Sequence, residues 1–190
     1  MVKFFVIITA SIVLSIVAGI YGIFHDIVTY NISSEYYTHF KFIEFGLMDA
    51  YGQPHINILQ LLVITGWVAT WWMGLIAGVV FGLFALGYAS TRIMITSIMR
   101  AAAIMIIVSV AFALLGYLAG LVSNKFQIIN PADFCNLSST VKYVDYFNIA
   151  AFIHNFSYIG GIAGIILGCA DIIKRKHTHK KRLIINNLSE

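Results

Sequence analysis

Residues 58–88 read ILQLLVITGWVATWWMGLIAGVVFGLFALGY, a run of 31 residues without a charged side chain. About 20 helical residues cross the ~30 Å hydrocarbon core of a bilayer, so this run is long enough to span it. Three further apolar runs pass the same test, at 4–24, 101–122 and 149–170. Transmembrane strands would instead show segments of about 10 residues with alternating polarity. The sequence therefore predicts an all-α membrane protein built as a four-transmembrane-helix bundle.

The composition points to the same class. Of the 190 residues, 60% are apolar and only 11% are charged, against roughly 25% charged in an average soluble domain. A water-soluble fold of this size could not cover itself with so few charges. We expect one membrane domain over residues 1–173, followed by a basic tail at 174–190. That tail is suited to anionic lipid headgroups, and we expect no nucleic-acid partner.

The distribution of charge predicts the orientation. Nine of the twelve Lys and Arg residues lie in the amino terminus, the 89–100 connection and the tail. Six of the eight acids lie in the two other loops, 25–57 and 123–148. Basic residues favour the cytoplasmic side, so both termini are expected there and the two loops outside. The first run could also be a cleaved signal peptide, but its length of about 21 residues favours retention.

The first outer loop is expected to form a small ordered cap over the bundle. Its Ile27–Tyr30 stretch and the aromatic run at 36–45 have strand-like composition, which suggests a short hairpin. Gly46, Gly52 and Pro54 are turn signals. A loop of this length without structure of its own would be unusual unless it is functional.

Small residues recur at four-residue spacing in every span and predict close helix packing. They leave open whether the packing occurs within one chain, in a homo-oligomer or against a partner in a membrane complex. The stripes are Ser11, Ser15 and Gly19; Gly74, Gly78 and Gly82; Gly116 and Gly120; and Gly160, Gly164 and Gly168.

One ionisable side chain, His154, lies within a span. Such groups are costly in a membrane and are candidates for function by default. Ser157 and Tyr158 follow at i+3 and i+4 and share its helical face. A neutral histidine that is hydrogen-bonded for structure is an equally good interpretation.

Polar residues of the cap provide two alternatives. In the first, His25, Asp26, Glu35, Tyr36 and His154 form a polar network that locks the cap onto the helices, because unpaired buried polar groups cost about 1–3 kcal/mol each. In the second, imidazole and carboxylate groups bind a divalent transition metal. The metal candidates are His25, Asp26, Glu35, His39 and His154. No H-E-x-x-H or similar metal motif occurs in the sequence, and His55 is a further imidazole before the second span.

The two cysteines predict no intrachain disulfide. Cys135 lies in the second outer loop and Cys169 lies near the inner end of the fourth span, most of a membrane thickness away. The absence of a Cys-x-x-Cys pair also excludes a thiol oxidoreductase of the four-helix type.

Three segments, YGIFHDIVTYNISSEYYTHFKF at 21–42, VATWWMGLIAG at 68–78 and HNFSYIGGIAG at 154–164, resemble a group of bacterial four-helix membrane proteins with no known activity. The resemblance implies a bacterial inner-membrane location, and it carries over no mechanism. It covers His25, Asp26, Glu35, Tyr36, His154, Ser157 and Tyr158.

The function predicted from the sequence is a non-enzymatic membrane component that binds a partner protein, a lipid or a small ligand at its periplasmic face. The alternatives are a metal-binding protein or metal-dependent enzyme with a site at the outer end of the bundle, and an accessory subunit of a larger membrane complex. Whether the protein is an enzyme stays open at this stage.

Overall fold

A computed structural model describes residues 1–48, 56–128 and 141–188, with residues 179–188 described by their backbone alone. Four long helices carry the fold: α1 (Val2–Ile32), α4 (Ile58–Ala85), α5 (Thr91–Phe126) and α6 (Val144–Leu188). Each is long and apolar enough to cross a membrane, which indicates a multi-pass membrane protein and a helical bundle. His55 and Cys135 lie outside the described residues, while Cys169 is a free, buried thiol.

The helices form two tight antiparallel pairs. In the first pair α1 packs against α4, where a Cβ on Gly22 would lie 2.1 Å from Gly66 O. In the second pair α5 packs against α6, where a Cβ on Gly116 would lie 2.6 Å from Phe152 O. Close approach of this kind requires residues without a side chain at the crossing. The two pairs meet at the end of the bundle that carries the termini, where Tyr88 donates from its hydroxyl to Ile172 O.

The segment after α1 closes the other end, which we call the cap end. Ser33 ends α1, and its hydroxyl oxygen accepts the N–H of Tyr36 to start α2 (Ser34–Tyr36). A π-helical turn (Tyr37–Lys41) and α3 (Phe42–Glu44) complete residues 34–44, which we call the cap segment. This segment folds back into the bundle instead of lying on top of it, and Tyr37 and Phe42 are fully buried.

The helical cap corrects the strand prediction. Ile27–Tyr30 lies within α1, which runs to Ile32, and the aromatic run at 36–45 is mostly helical. The Thr29 hydroxyl donates to the backbone carbonyl of His25, four residues earlier, as helix geometry allows. The expected hairpin is therefore wrong for the described part of the loop, because tertiary burial of the aromatic rings outweighs their local strand preference. Gly52 and Pro54 lie outside the described residues.

The small-residue stripes are used within the chain. A Cβ on any of their nine glycines would lie within 3.0 Å of an atom on another helix. Ser11 is buried, and the Ser15 hydroxyl donates to Trp71 O on α4. The stripes therefore need no second copy to explain them.

Candidate functional site

A buried carboxylate and a buried amine face each other at the cap end. Asp26 on α1 is 2% exposed and Lys41 in the π turn is 3% exposed. Lys41 Nζ donates to Asp26 Oδ1 at 2.7 Å and to Oδ2 at 2.9 Å. Burial lowers the pKa of the Lys41 ammonium, and the Asp26 carboxylate opposes this shift. The pair is a buried salt bridge between α1 and the cap segment.

His154 on α6 completes this arrangement. Its Nδ1 donates to Ala150 O at 2.9 Å, so the neutral ring presents a lone pair at Nε2. Lys41 Nζ lies 2.9 Å from that Nε2 and donates a hydrogen bond to it. An ammonium has three N–H donors, and the two Asp26 oxygens and His154 Nε2 provide one acceptor for each of them. We call Asp26, Lys41 and His154 the ion-pair cluster.

Two hydroxyls surround the cluster. Thr29 uses its hydroxyl proton on the carbonyl of His25, so the contact between Thr29 Oγ1 and the Tyr37 hydroxyl is donated by Tyr37. The Tyr37 hydroxyl also lies 3.3 Å from His154 Nε2. Burial raises the pKa of the Tyr37 phenol, and the Asp26 carboxylate raises it further. Tyr37 therefore stays protonated and acts as a donor at neutral pH.

His25 lies beside the cluster but does not share its hydrogen bonds. Its ring stands edge-on to the His154 ring, with 4.8 Å between the centroids, and its Nδ1 lies 3.7 Å from Asp26 Oδ1. Its Nε2 is buried and has no hydrogen-bond partner among the residues that the structure describes. One buried imidazole nitrogen is thus left without a partner in this arrangement.

The remaining cap candidates take other places. Glu35 accepts the backbone N–H groups of Lys142 and Tyr143 at 3.1 and 2.8 Å, which ties the cap segment to the start of α6. The Tyr36 ring packs on His154, 4.9 Å between centroids. His39 pairs through Nδ1 with the hydroxyl of its neighbour Thr38. Glu35 and His39 therefore lie apart from the ion-pair cluster.

A central cavity lies below the cluster, between the two helix pairs. It encloses about 60 Å³ and is lined mainly by apolar side chains, with Ser157 and Tyr158 in its wall. The Tyr21 hydroxyl lies 3.1 Å from Ser157 Oγ and 3.3 Å from Ser109 Oγ. Ser157 thus takes part in a second, smaller polar group and does not contact His154 through hydrogen bonds among those described.

A larger groove opens between α1 and α5 on an exposed face of the bundle. It has a volume of about 290 Å³ and an almost entirely apolar lining. His25 is part of that lining, and it is the residue whose Nε2 has no partner. The other residues that line the groove are Tyr21, Phe24, Val28, Thr29, Ile32, Val110, Ala113, Leu114, Tyr117 and Ile153.

Three of the predicted metal candidates come together. Ligand atoms of His25, Asp26 and His154 all lie within 4.8 Å of one another, a wider spacing than the separation of about 3.4 Å between neighbouring ligands in a tetrahedral zinc site. Lys41 Nζ lies among them. Within the described part of the chain, the metal-capable set does not extend to Glu35 or His39.

The sequence interpretation missed Lys41, Tyr37 and Thr29. Lys41 was counted only as one charge of an outer loop, although it stands between Phe40 and Phe42. A single lysine flanked by aromatic residues is a signal for burial beside a carboxylate, since lysine is almost never fully buried unless it is paired. Its partner Asp26 lies 15 residues earlier.

No protein-family model, no curated protein and no solved structure matches this chain, so the geometry of its own residues carries the functional argument.

Proposed function

We propose that this protein is a non-enzymatic integral membrane protein that binds an uncharged, lipid-like molecule in the groove between α1 and α5. One observation carries the proposal: an exposed apolar groove is lined by His25, whose buried Nε2 has no hydrogen-bond partner among the described residues. In this proposal the protein resides in a bacterial inner membrane, with the cap on the periplasmic side.

The chemistry of the groove defines the class of ligand. Its apolar walls favour a hydrocarbon chain, and about 290 Å³ is near the lower end of the ~300–1,000 Å³ that is typical of ligand pockets. Leaving a buried polar atom unpaired costs about 1–3 kcal/mol. A hydroxyl or carbonyl group on the ligand would remove that cost by pairing with His25 Nε2. A charged headgroup lacks a partner in this lining.

The rigid surroundings support a binding role for His25. Its ring is held between the rings of Tyr21 and His154, at 5.8 and 4.8 Å between centroids. His154 is in turn fixed by Lys41 and by the carbonyl of Ala150. Side chains locked by packing and hydrogen bonds bind with a smaller entropy loss. The ion-pair cluster thus serves to position His25 at the groove.

A photoreactive monoacylglycerol tests the proposal, because it carries hydroxyl groups on an uncharged head. Irradiation of the purified protein with this probe should label peptides from 21–32 and 110–117. Ala113→Phe, which fills the groove, should reduce the labelling to less than half. Ala111→Phe is the matched control, since Ala111 lies on the same helix, is exposed and does not line the groove. Equal labelling of both variants, or labelling spread evenly over all four helices, would contradict the proposal.

A further inference from the structure

The ion-pair cluster has the form of a cation site in which the cation is part of the chain. Lys41 Nζ lies 2.7 and 2.9 Å from the Asp26 oxygens and 2.9 Å from His154 Nε2. A zinc-type ion binds the same atom types at about 2.0–2.2 Å. Carboxylate oxygen and imidazole nitrogen therefore converge on one point, and an ammonium fills it.

The surrounding groups are also arranged as they are around a bound transition metal. His154 donates from Nδ1 to Ala150 O, the arrangement by which metal-binding histidines fix their tautomer and direct Nε2 at the ion. His25 Nδ1 lies 3.7 Å from Asp26 Oδ1, beyond hydrogen-bond distance, so it is available as a third ligand. Two imidazoles and one carboxylate are a common three-residue ligand set for catalytic zinc.

We propose that Lys41 is an intramolecular competitor for a divalent transition metal at His25, Asp26 and His154. The metal and the ammonium occupy the same position, so metal binding requires Lys41 to leave the cluster. Lys41 is held there by the cap segment, whose π turn directs both Lys41 and Tyr37 inward. Metal binding is therefore coupled to displacement of the π turn. This inference is independent of the groove, since it needs no lipid-like ligand.

Cobalt titration of the full-length protein in detergent tests this competition, because Co²⁺ gives visible absorption bands when it is four-coordinate. In the wild type, only the small fraction of molecules in which Lys41 has left the site can bind the metal, which lowers the apparent affinity. We therefore expect Lys41→Met to bind one Co²⁺ per chain about tenfold or more tightly than the wild type does. Lys125→Met is the matched control, since Lys125 is exposed at the same end of the bundle. Adding His154→Phe to Lys41→Met should abolish the bands.

The thermal midpoint provides a second measure. Lys41→Met leaves Asp26 buried without its cation, and Co²⁺ should raise the midpoint of this variant more than that of the wild type. If wild type and Lys41→Met bind Co²⁺ equally tightly, or if a folded Lys41→Met binds none, the proposal is wrong.

A wild-type experiment covers the case in which Lys41→Met does not fold. An amine-reactive acetylating reagent should modify Lys41 increasingly as Co²⁺ is added, while modification of Lys125 stays constant. A Lys41 that remains unmodified at saturating Co²⁺ would overturn the competition, as would the absence of stoichiometric cobalt from every sample.

Discussion

At the scale of single residues, the cap end depends on one buried salt bridge. Asp26 and Lys41 are both almost fully buried, and each satisfies the other. Such pairs stabilise a fold weakly in total, because desolvation offsets their attraction, but removal of one partner leaves an uncompensated charge. The pair therefore specifies where the cap segment docks more than it adds stability.

Asp26→Ala should lower the free energy of unfolding by about 3–5 kcal/mol, because the Lys41 ammonium loses its carboxylate in a buried site. Glu44→Gln is the control, since Glu44 is an exposed acid of the same cap segment. The double variant Asp26→Leu/Lys41→Met should recover much of the loss, since both charges are then absent. Denaturation in detergent micelles measures the unfolding free energy of the wild type, the two single variants and the double variant. An Asp26→Ala variant as stable as Glu44→Gln would contradict the salt bridge.

His154→Ala should lower the unfolding free energy by about 1–3 kcal/mol, since the buried Lys41 ammonium loses an acceptor. His39→Ala is the matched control because His39 pairs only with Thr38 among the contacts described. The thermal midpoint in detergent measures the effect. Loss of a bound ligand without any loss of stability would argue that His154 acts in binding and not in structure.

At the scale of helices, glycine contacts set how closely the pairs approach. A Cβ on Gly22 would lie 2.1 Å from Gly66 O and 2.2 Å from Thr70 Oγ1. Backbone atoms on a packed helix cannot move aside without separating the helices. Gly161, by contrast, has no neighbour closer to a Cβ than 3.7 Å. The two glycines share a helical backbone and differ in their surroundings.

Gly22→Ala should therefore destabilise the protein by about 1–3 kcal/mol through overpacking of α1 against α4. Gly161→Ala should be neutral or stabilising by up to about 1 kcal/mol, because alanine favours helix and the site has room. Unfolding of both variants in the same detergent gives the comparison. Equal effects of the two substitutions would contradict the close approach of α1 and α4.

At the scale of the whole molecule, the two helix pairs contact each other at the terminal end, where Tyr88 meets Ile172, and at the cap end, where Asp26 meets His154. The cap segment contacts both α1 and α6 through Lys41, and the groove opens between α1 and α5. The charge distribution along the chain predicts that this cap end faces outward. Orientation in the membrane is thus an expectation from basic residues, separate from the fold itself.

Labelling of single cysteines tests that orientation. In a Cys135→Ser/Cys169→Ser background, a membrane-impermeant maleimide added outside the inner membrane should modify Glu44→Cys, in the cap segment. The same reagent should not reach His177→Cys, in the part of α6 that follows the predicted fourth span. Both positions are exposed, so accessibility differs only by the side of the membrane. The reverse pattern would show that the positive residues do not set the topology.

The sequence alone determined the helical class and the four spans. Charge-free runs of this length form helices in lipid, because every backbone polar group must be hydrogen-bonded within its own segment. It also identified His154, Asp26 and His25 as candidates, because ionisable groups in or beside apolar runs are costly. The prediction for the cap segment is wrong, since its strand-like composition corresponds to short helices and a π turn in the structure.

Only the tertiary structure decided which polar residues meet. Lys41 pairs with Asp26 across 15 residues and with His154 across 113, and no local pattern encodes such separations. The π turn brings Tyr37 and Lys41 inward together, a change of phase that helical periodicity does not predict. Glu35 takes a different partner for the same reason, since the start of α6 presents two backbone N–H groups to it. These partners follow from burial in the folded chain, because a charged group that is removed from water needs an opposite charge or a hydrogen-bond partner beside it.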